Sequence, residues 1–290
     1  ELALNSQLAG KPGSRRVIKD RRGQIVEDVE SIHAPQEGKD SMLALDAKLQ
    51  YLAYAQLKQA IVDHKAKAGG IVVLDAKSGE VLARANLPTY NPNNRTKLSG
   101  AQLRNRAFTD TFEPGSTFKP FTVALALDKG HVRFDTPIQT APGRLTIGSA
   151  TIHDAHPHGV LSVAQVIQKS SNVGVSKMAL NMSYEDMWTM FDKLGFGQPL
   201  KLGFPGEAGG RLRPWKRWRP IEQATMSYGH GISVTLIQLA RAYQAFARDG
   251  DLVPLSLARV DAPPAVGVRV FSEQTAREMR AMLEMAVQPG

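Results

Sequence analysis

Residues 104–120 read RNRAFTDTFEPGSTFKP. Glu113-Pro114-Gly115 is a turn signal, and the spacing after it predicts a helix through about Leu127. Ser116 and Lys119 stand at i and i+3, one turn apart on one helix face. A serine hydroxyl is a poor nucleophile until a base takes its proton, and a lysine serves as that base only when neutral. The positive potential at a helix N-terminus favours both the developing negative charge and the neutral amine. The bland reading is a capping serine beside a surface lysine, since a chain of this length yields roughly one Ser-x-x-Lys by chance.

Ser170-Ser171-Asn172 is the only Ser-x-Asn in the chain, and it falls in the break between two predicted helices. Ser and Asn favour such breaks as capping residues. The other reading is a second catalytic element, with Ser170 relaying protons and Asn172 hydrogen-bonding a substrate amide.

The chain has 290 residues, enough for one large domain or two smaller ones with a full-sized core. Its 42% apolar and 22% charged residues are ordinary globular composition, which excludes disorder, collagen and coiled coil. There is no cysteine, so a disulfide scaffold, a thiolate metal site and a cysteine nucleophile are excluded. The net charge of +9 suits nucleic acid, anionic lipid or an acidic polymer without choosing among them. No run reaches the 18 or so apolar residues of a membrane span. The opening Glu1-Leu2-Ala3, without an initiator Met or signal peptide, and the end at Pro289-Gly290 read as an excision from something longer.

Residues 1–40 are polar with basic runs at Arg15-Arg16 and Arg21-Arg22, and read as an extended arm or the end of a separate module. Asp46 is a plausible N-cap for a helix whose apolar face holds Leu49, Leu52, Ala53, Leu57, Ala60 and Ile61. Gly69-Gly70 reads as its end. Residues 71–74 read as a buried strand, 75–80 as a turn, 81–83 as a return strand, and 86–94 as loop. Short strands are expected over 131–160. Ser162, Ser183, Ser233 and Ser272 are the predicted caps of later helices, with Gly195 and Gly250 as stops for the second and third.

Four separated stretches, in order, resemble class B penicillin-binding proteins: residues 85–93 (ANLPTYNPN), 104–120, 169–174 (KSSNVG) and 228–235 (YGHGISVT). The similarity is greatest to the cell-division, penicillin-binding protein 3 type, and covers most of residues 41–290. It implies a mixed α/β (α+β) penicillin-binding transpeptidase, serine β-lactamase-like fold. Residues 1–40 would be the C-terminal part of an N-terminal pedestal module and linker, and residues 41–290 the transpeptidase domain. The family's third motif, Lys-Thr-Gly or Lys-Ser-Gly on a strand after the Ser-x-Asn element, has no counterpart after Asn172. Lys77-Ser78-Gly79 has its letters before the nucleophile, in a predicted turn. A segment like Gln288-Pro289-Gly290 comes shortly before that motif, so the resemblance implies a domain incomplete at its C-terminus and lacking its last strands.

Carried over residue by residue, the resemblance makes Ser116 the acyl-accepting nucleophile and Lys119 its base. Ser170 would be the proton shuttle and Asn172 the substrate anchor. Glu113 and Tyr228 would line the cleft rim, and His230 stands where the family often has an aromatic residue. The implied activity is peptidoglycan cross-linking at the septum. No metal and no organic cofactor is expected. The implied partners are stem peptides, β-lactam antibiotics and division proteins including a glycosyltransferase, with no nucleic acid. The implied place is the periplasmic face of the bacterial inner membrane, on an N-terminal helix absent from this chain. A serine β-lactamase, a D,D-carboxypeptidase and a non-catalytic binding fragment remain the alternatives.

Three clusters have simpler readings. His153, Asp154, His156 and His158 suggest a metal site, but Pro157 breaks the segment and solvated loop histidines fit better. Trp215-Lys216-Arg217-Trp218-Arg219 mixes aromatics and cations as single-strand binders do, yet it is short and unrepeated, and reads as a surface loop. Met178, Met182, Met187 and Met190 read as core filler. Arg104 and Arg106 read either as contacts for an acidic substrate or as ties between loops.

Overall fold

The computed structural model describes residues 4–262 and 267–288; Glu1-Leu2-Ala3 and Pro289-Gly290, on which the reading of the chain ends rested, lie outside them. The chain divides into two units, residues 1–43 with 203–205, and residues 44–202 with 206–290.

In the smaller unit a single helical turn, α1 (Asn5–Leu8), precedes an antiparallel hairpin of β1 (Ser14–Lys19) and β2 (Ile25–His33). Asp20 accepts from the backbone N–H of Arg22 and Gln24, which closes the turn. Ile18, Val26, Val29 and Ile32 are all exposed, so this hairpin buries no core of its own.

The larger unit starts with α2 (Ala47–Asp63), capped by Asp46 accepting from Leu49 N at 2.9 Å. Its buried face is narrower than expected: Ala53 and Leu57 are buried, whereas Leu52 and Ala60 are exposed. The helix ends at His64, not at the glycines. Gly69 and Gly70 open β3 (Gly69–Leu74), which pairs antiparallel with β4 (Val81–Leu87). Successive strand residues face opposite ways. A Cβ at Gly69 would meet Leu57 of α2, and one at Gly70 would meet Leu236. β3 therefore lies between two helices but has no second strand beside it among the described residues, and it is half-buried where a buried strand was expected. β4 alternates cleanly, with Val81, Ala83 and Ala85 buried, and carries pairing through Asn86 and Leu87 into the expected loop. Gln50 fastens α2 to β4, donating to Arg84 O and accepting from Arg84 N.

Two helical turns, α3 (Gly100–Leu103) and α4 (Arg106–Thr109), lead to the two-residue β5 (Thr111–Phe112). A 3₁₀ turn, Gly115–Phe118, then feeds α5 (Lys119–Asp128). The small antiparallel pair β6 (Pro137–Gln139) with β9 (Val160–Ser162), and between them in the chain the hairpin β7 (Arg144–Ile147) with β8 (Ala150–His153), occupy the region read as short strands. Next come α6 (Val163–Gln168), α7 (Asn172–Leu180), α8 (Tyr184–Lys193) and α9 (Pro220–Met226). β10 (Val234–Thr235), α10 (Leu236–Ala247), β11 (Asp251–Leu252), β12 (Val268–Arg269) and α11 (Glu273–Met285) complete the chain.

Ser162, Ser183 and Ser272 each accept a backbone N–H at the start of their helices. Ser233 does not cap α10. Its backbone bridges Arg211, Val234 and Thr235 then pair with Phe112 and Thr111, and Thr235 is the cap, in a reciprocal pair with Gln238. The core lies where α5 packs on α6, α7, α8 and α11. Phe121 stacks on Phe246 at 5.3 Å and Phe246 on Phe271 at 5.7 Å. All four segment methionines are buried in it. So is Trp218, whose Nε1 donates to Arg213 O at 3.0 Å, correcting the surface-loop reading of that residue. No described helix is long and apolar enough to cross a membrane.

Candidate active site

Residues 113–119 alternate sharply in exposure. Ser116 is exposed while Phe118 and Lys119 are buried. Phe118 is the anchor: its ring meets Phe191, Phe196 and Phe121 at 4.7, 5.0 and 5.4 Å, fixing the turn to the core. Thr117 Oγ1 donates to Pro114 O at 2.7 Å, and Tyr243 Oη donates to Thr117 O at 2.7 Å. The turn that presents Ser116 is thus held from both sides, and the Ser116 hydroxyl has no partner among the described residues.

Lys119 is 2% exposed. Its Nζ donates to Ser170 Oγ at 2.8 Å and also to Ser170 O. The amine is committed to Ser170 and makes no hydrogen bond to Ser116. Burial pulls the ammonium pKa down to about 8, against a smaller upward pull from the Asp154 carboxylate. Near neutral pH an appreciable fraction of the amine is therefore free base.

Ser170 sits between α6 and α7 with φ of 55°, a left-handed conformation uncommon outside glycine. Ser171, not Ser170, caps α7: its Oγ accepts from Gly174 N at 2.9 Å. Asp154 organises this corner, accepting from Ser171 Oγ at 2.8 Å and from Val173 N at 2.9 Å. Asn172 Nδ2 donates to His153 O at 2.9 Å, so its Oδ1 is the atom left to meet a ligand. A Cβ at Gly174 would come within 2.6 Å of Val166, so glycine is what allows α6 and α7 to meet closely behind Ser170.

The opposite wall comes from 228–231. Gly115 N donates to Gly229 O at 3.2 Å. Glu113 bridges the same segments, accepting from Gly231 N at 2.9 Å and pairing with His230 Nδ1 at 2.7 Å. Tyr228 is half-buried against the core, and burial raises its pKa. Of the residues singled out from sequence, Lys119 and Ser170 are in direct contact, Ser116 precedes Lys119 on the same turn, and Asn172 lies two residues beyond Ser170. Tyr228 stands on the facing segment, and Glu113, three residues before Ser116, reaches across to that segment.

Asp154 was weighed from sequence as a metal ligand. Its carboxylate is committed to α7 instead, and no described group of His, Asp and Glu residues is arranged to hold a metal. Its proximity to Ser171 is a tertiary fact with no signal in the local sequence. Arg104 and Arg106 both pair with Asp110, at 2.6 and 2.8 Å, and so brace the single turn of α4 and its flanks.

The family description "Penicillin binding protein transpeptidase domain" matches residues 69–290. The probable peptidoglycan D,D-transpeptidase PenA of Neisseria gonorrhoeae is 47% identical over 292 residues, covering 100% of this chain and 50% of that protein. The peptidoglycan D,D-transpeptidase FtsI of Escherichia coli (strain K12) is 42% identical over 290 residues, covering 100% of this chain and 49% of that protein. The chain spans about half the length of these curated relatives. Among solved structures, the apo TP domain of Burkholderia pseudomallei penicillin-binding protein 3 superposes with a TM-score of 0.79 at 51% identity, covering 86% of this chain and 71% of that one.

Proposed function

The chain belongs to the penicillin-binding protein transpeptidase family, and from that premise we propose that it forms part of a septal peptidoglycan D,D-transpeptidase working through a serine acyl-enzyme. Neutral Lys119 takes the Ser116 proton, and Ser116 Oγ attacks the carbonyl between the two terminal D-alanines of a donor stem peptide. Ser170 Oγ, in contact with Lys119 Nζ, passes a proton to the departing amine, and the last D-alanine leaves. An amine of a neighbouring stem peptide then attacks the ester, forms the cross-link and returns the proton to Ser116. Asn172 Oδ1 accepts from the donor's amide N–H, and the Ser116 backbone N–H contributes to stabilising the oxyanion. Glu113 and Tyr228 border the cleft. β-Lactams resemble the donor and acylate Ser116.

The observation that carries this reading is the buried Lys119, its pKa lowered to about 8 and its amine hydrogen-bonded to Ser170. The proposal extends to work at the division septum, on the periplasmic face of the inner membrane, beside division proteins including a glycosyltransferase, as the resemblance to the cell-division type implies. Intact-mass measurement after incubation with a penicillin tests the proposal. The expected result is a stable one-drug adduct on Ser116, absent in Ser116→Ala, forming faster as pH rises through about 8. An adduct undiminished in that variant would sink the assignment of the nucleophile. Rapid turnover of the drug would replace transpeptidation by β-lactam hydrolysis.

A further inference from the structure

A second cavity opens beyond the C-terminal end of α8, wholly within the larger unit and sharing no residue with the Ser116 site. Its volume is about 430 Å³, in the range of sites that hold a small organic ligand. Three cations line it: Lys193, Lys201 and Arg241. Three other half-buried arginines face carboxylates, Arg106 with Asp110, Arg213 with Glu222 and Arg248 with Asp251. Arg241 differs. Its one hydrogen bond runs from Nη1 to Leu194 O at 3.1 Å, and no described carboxylate pairs with it. Burial lowers its pKa with no acid to offset the effect. Lys193 and Lys201 stand exposed at the mouth, also without a described partner. Asp192 is the one acid in the lining, and it accepts from Gln198 Nε2 at 2.9 Å.

The cavity is pre-formed. Gln238 Nε2 donates to three carbonyls, Gly195 O, Gln198 O and Gly209 O, at 3.1, 2.9 and 2.8 Å, and so fixes the loop that forms the floor. Gly195 has φ of 91°, and a Cβ there would stand 2.8 Å from Arg241 Nη1, so glycine lets the guanidinium reach the end of α8. Leu200, Pro254 and Leu255 supply an apolar wall. A partly buried cation without an anion carries a desolvation cost that a bound anion offsets.

We propose that this cavity binds a phosphate monoester bearing an apolar substituent. The phosphate, with about −1.5 to −2 charges at neutral pH, would meet the guanidinium fork and the two ammonium groups, and the substituent would lie on the apolar wall. Such a group occurs on soluble metabolites and on lipids alike. Calorimetric titration at fixed ionic strength tests the site, with n-butyl phosphate and inorganic phosphate as soluble probes. Co-sedimentation with phosphatidylcholine vesicles containing phosphatidic acid tests the lipid form.

The expected result is saturable one-site binding of butyl phosphate, at least about tenfold tighter than inorganic phosphate. It should weaken at least about tenfold in Lys193→Gln/Lys201→Gln and be lost in Arg241→Met. The two lysines are exposed, so the double variant should fold and keep penicillin labelling, which separates lost binding from lost structure. Capture on vesicles that is likewise lost in the double variant would identify a lipid source, and binding of butyl phosphate alone a soluble one. Absence of saturable binding to either probe class, affinity unchanged in the variants, or equal affinity for both soluble probes would overturn the proposal.

Discussion

Lys119 is the residue at which stability and proposed chemistry pull in opposite directions. Its pKa is near 10.5 in an unfolded chain and about 8 in the fold. Well below pH 8 the amine is charged in both states, and burying that charge costs about 3 kcal/mol relative to a neutral side chain. Between pH 8 and 10.5 the folded amine is neutral while the unfolded one still binds a proton, so folding stability rises with pH through this window. Above it the ionisation cost is gone. Lys119→Met, of similar length and apolar, should therefore be more stable than the parent at pH 7. Its advantage of up to about 3 kcal/mol should shrink to near zero by pH 10.5. Urea unfolding at pH 7, 8.5 and 10 reads this directly. A gain that stays constant with pH would show that the amine is not buried in charged form. The same variant should give no penicillin adduct, because Ser116 loses its base.

At the scale of elements, the candidate site is a joint between helices, and Asp154 is its pin. It caps α7 through Ser171 Oγ and Val173 N, and its charge opposes the fall in the Lys119 pKa. Asp154→Ala should cost about 1–2 kcal/mol in unfolding measurements, the ordinary value of a lost cap. It should also move the inflection of the penicillin-labelling rate below the parent's pH, because the one group raising that pKa is gone. An inflection displaced upward would contradict the electrostatic account. Gly229 is the corresponding pin on the other wall. With φ of 80° and a would-be Cβ 2.4 Å from Gly115 O, Gly229→Ala should destabilise by about 2 kcal/mol or more and slow labelling.

What could be read from sequence follows the same division of scale. The Ser116–Lys119 spacing, the Asp46, Ser162, Ser183 and Ser272 caps and the Gly195 stop are local, because capping and turn chemistry act over three or four residues. The Asp154 contact with Ser171, the bridge from Glu113 to 230–231 and the committed amide of Asn172 each join segments with no shared local pattern. Ser233 shows the same limit in reverse. It has the right residue type for a cap, but pairing of Val234 and Thr235 with a distant strand moves the helix start to Thr235.

At the scale of the whole molecule, charge and core are distributed unequally between the two units. Residues 1–40 hold seven basic and seven acidic residues, so the net charge of +9 resides in the remainder of the chain. The apolar core is placed likewise: the hairpin side chains Ile18, Val26, Val29 and Ile32 are exposed, whereas Phe118, Phe121 and Val123 are fully buried. An isolated two-stranded hairpin is at best marginally stable, because its ladder hydrogen bonds open without disturbing any packed layer. The β1 and β2 amides should therefore exchange with deuterium through local opening, while those of α5, α7 and α10 should exchange only on global unfolding. Hydrogen exchange followed peptide by peptide checks this: residues 14–33 should become labelled orders of magnitude sooner than residues 119–128 under the same conditions. Stabilising the larger unit by penicillin acylation should slow the second group further, since a ligand bound only to the folded state deepens global protection. Equal protection of the two segments would mean that the hairpin is held by something beyond its own ladder, and that the two units unfold as one.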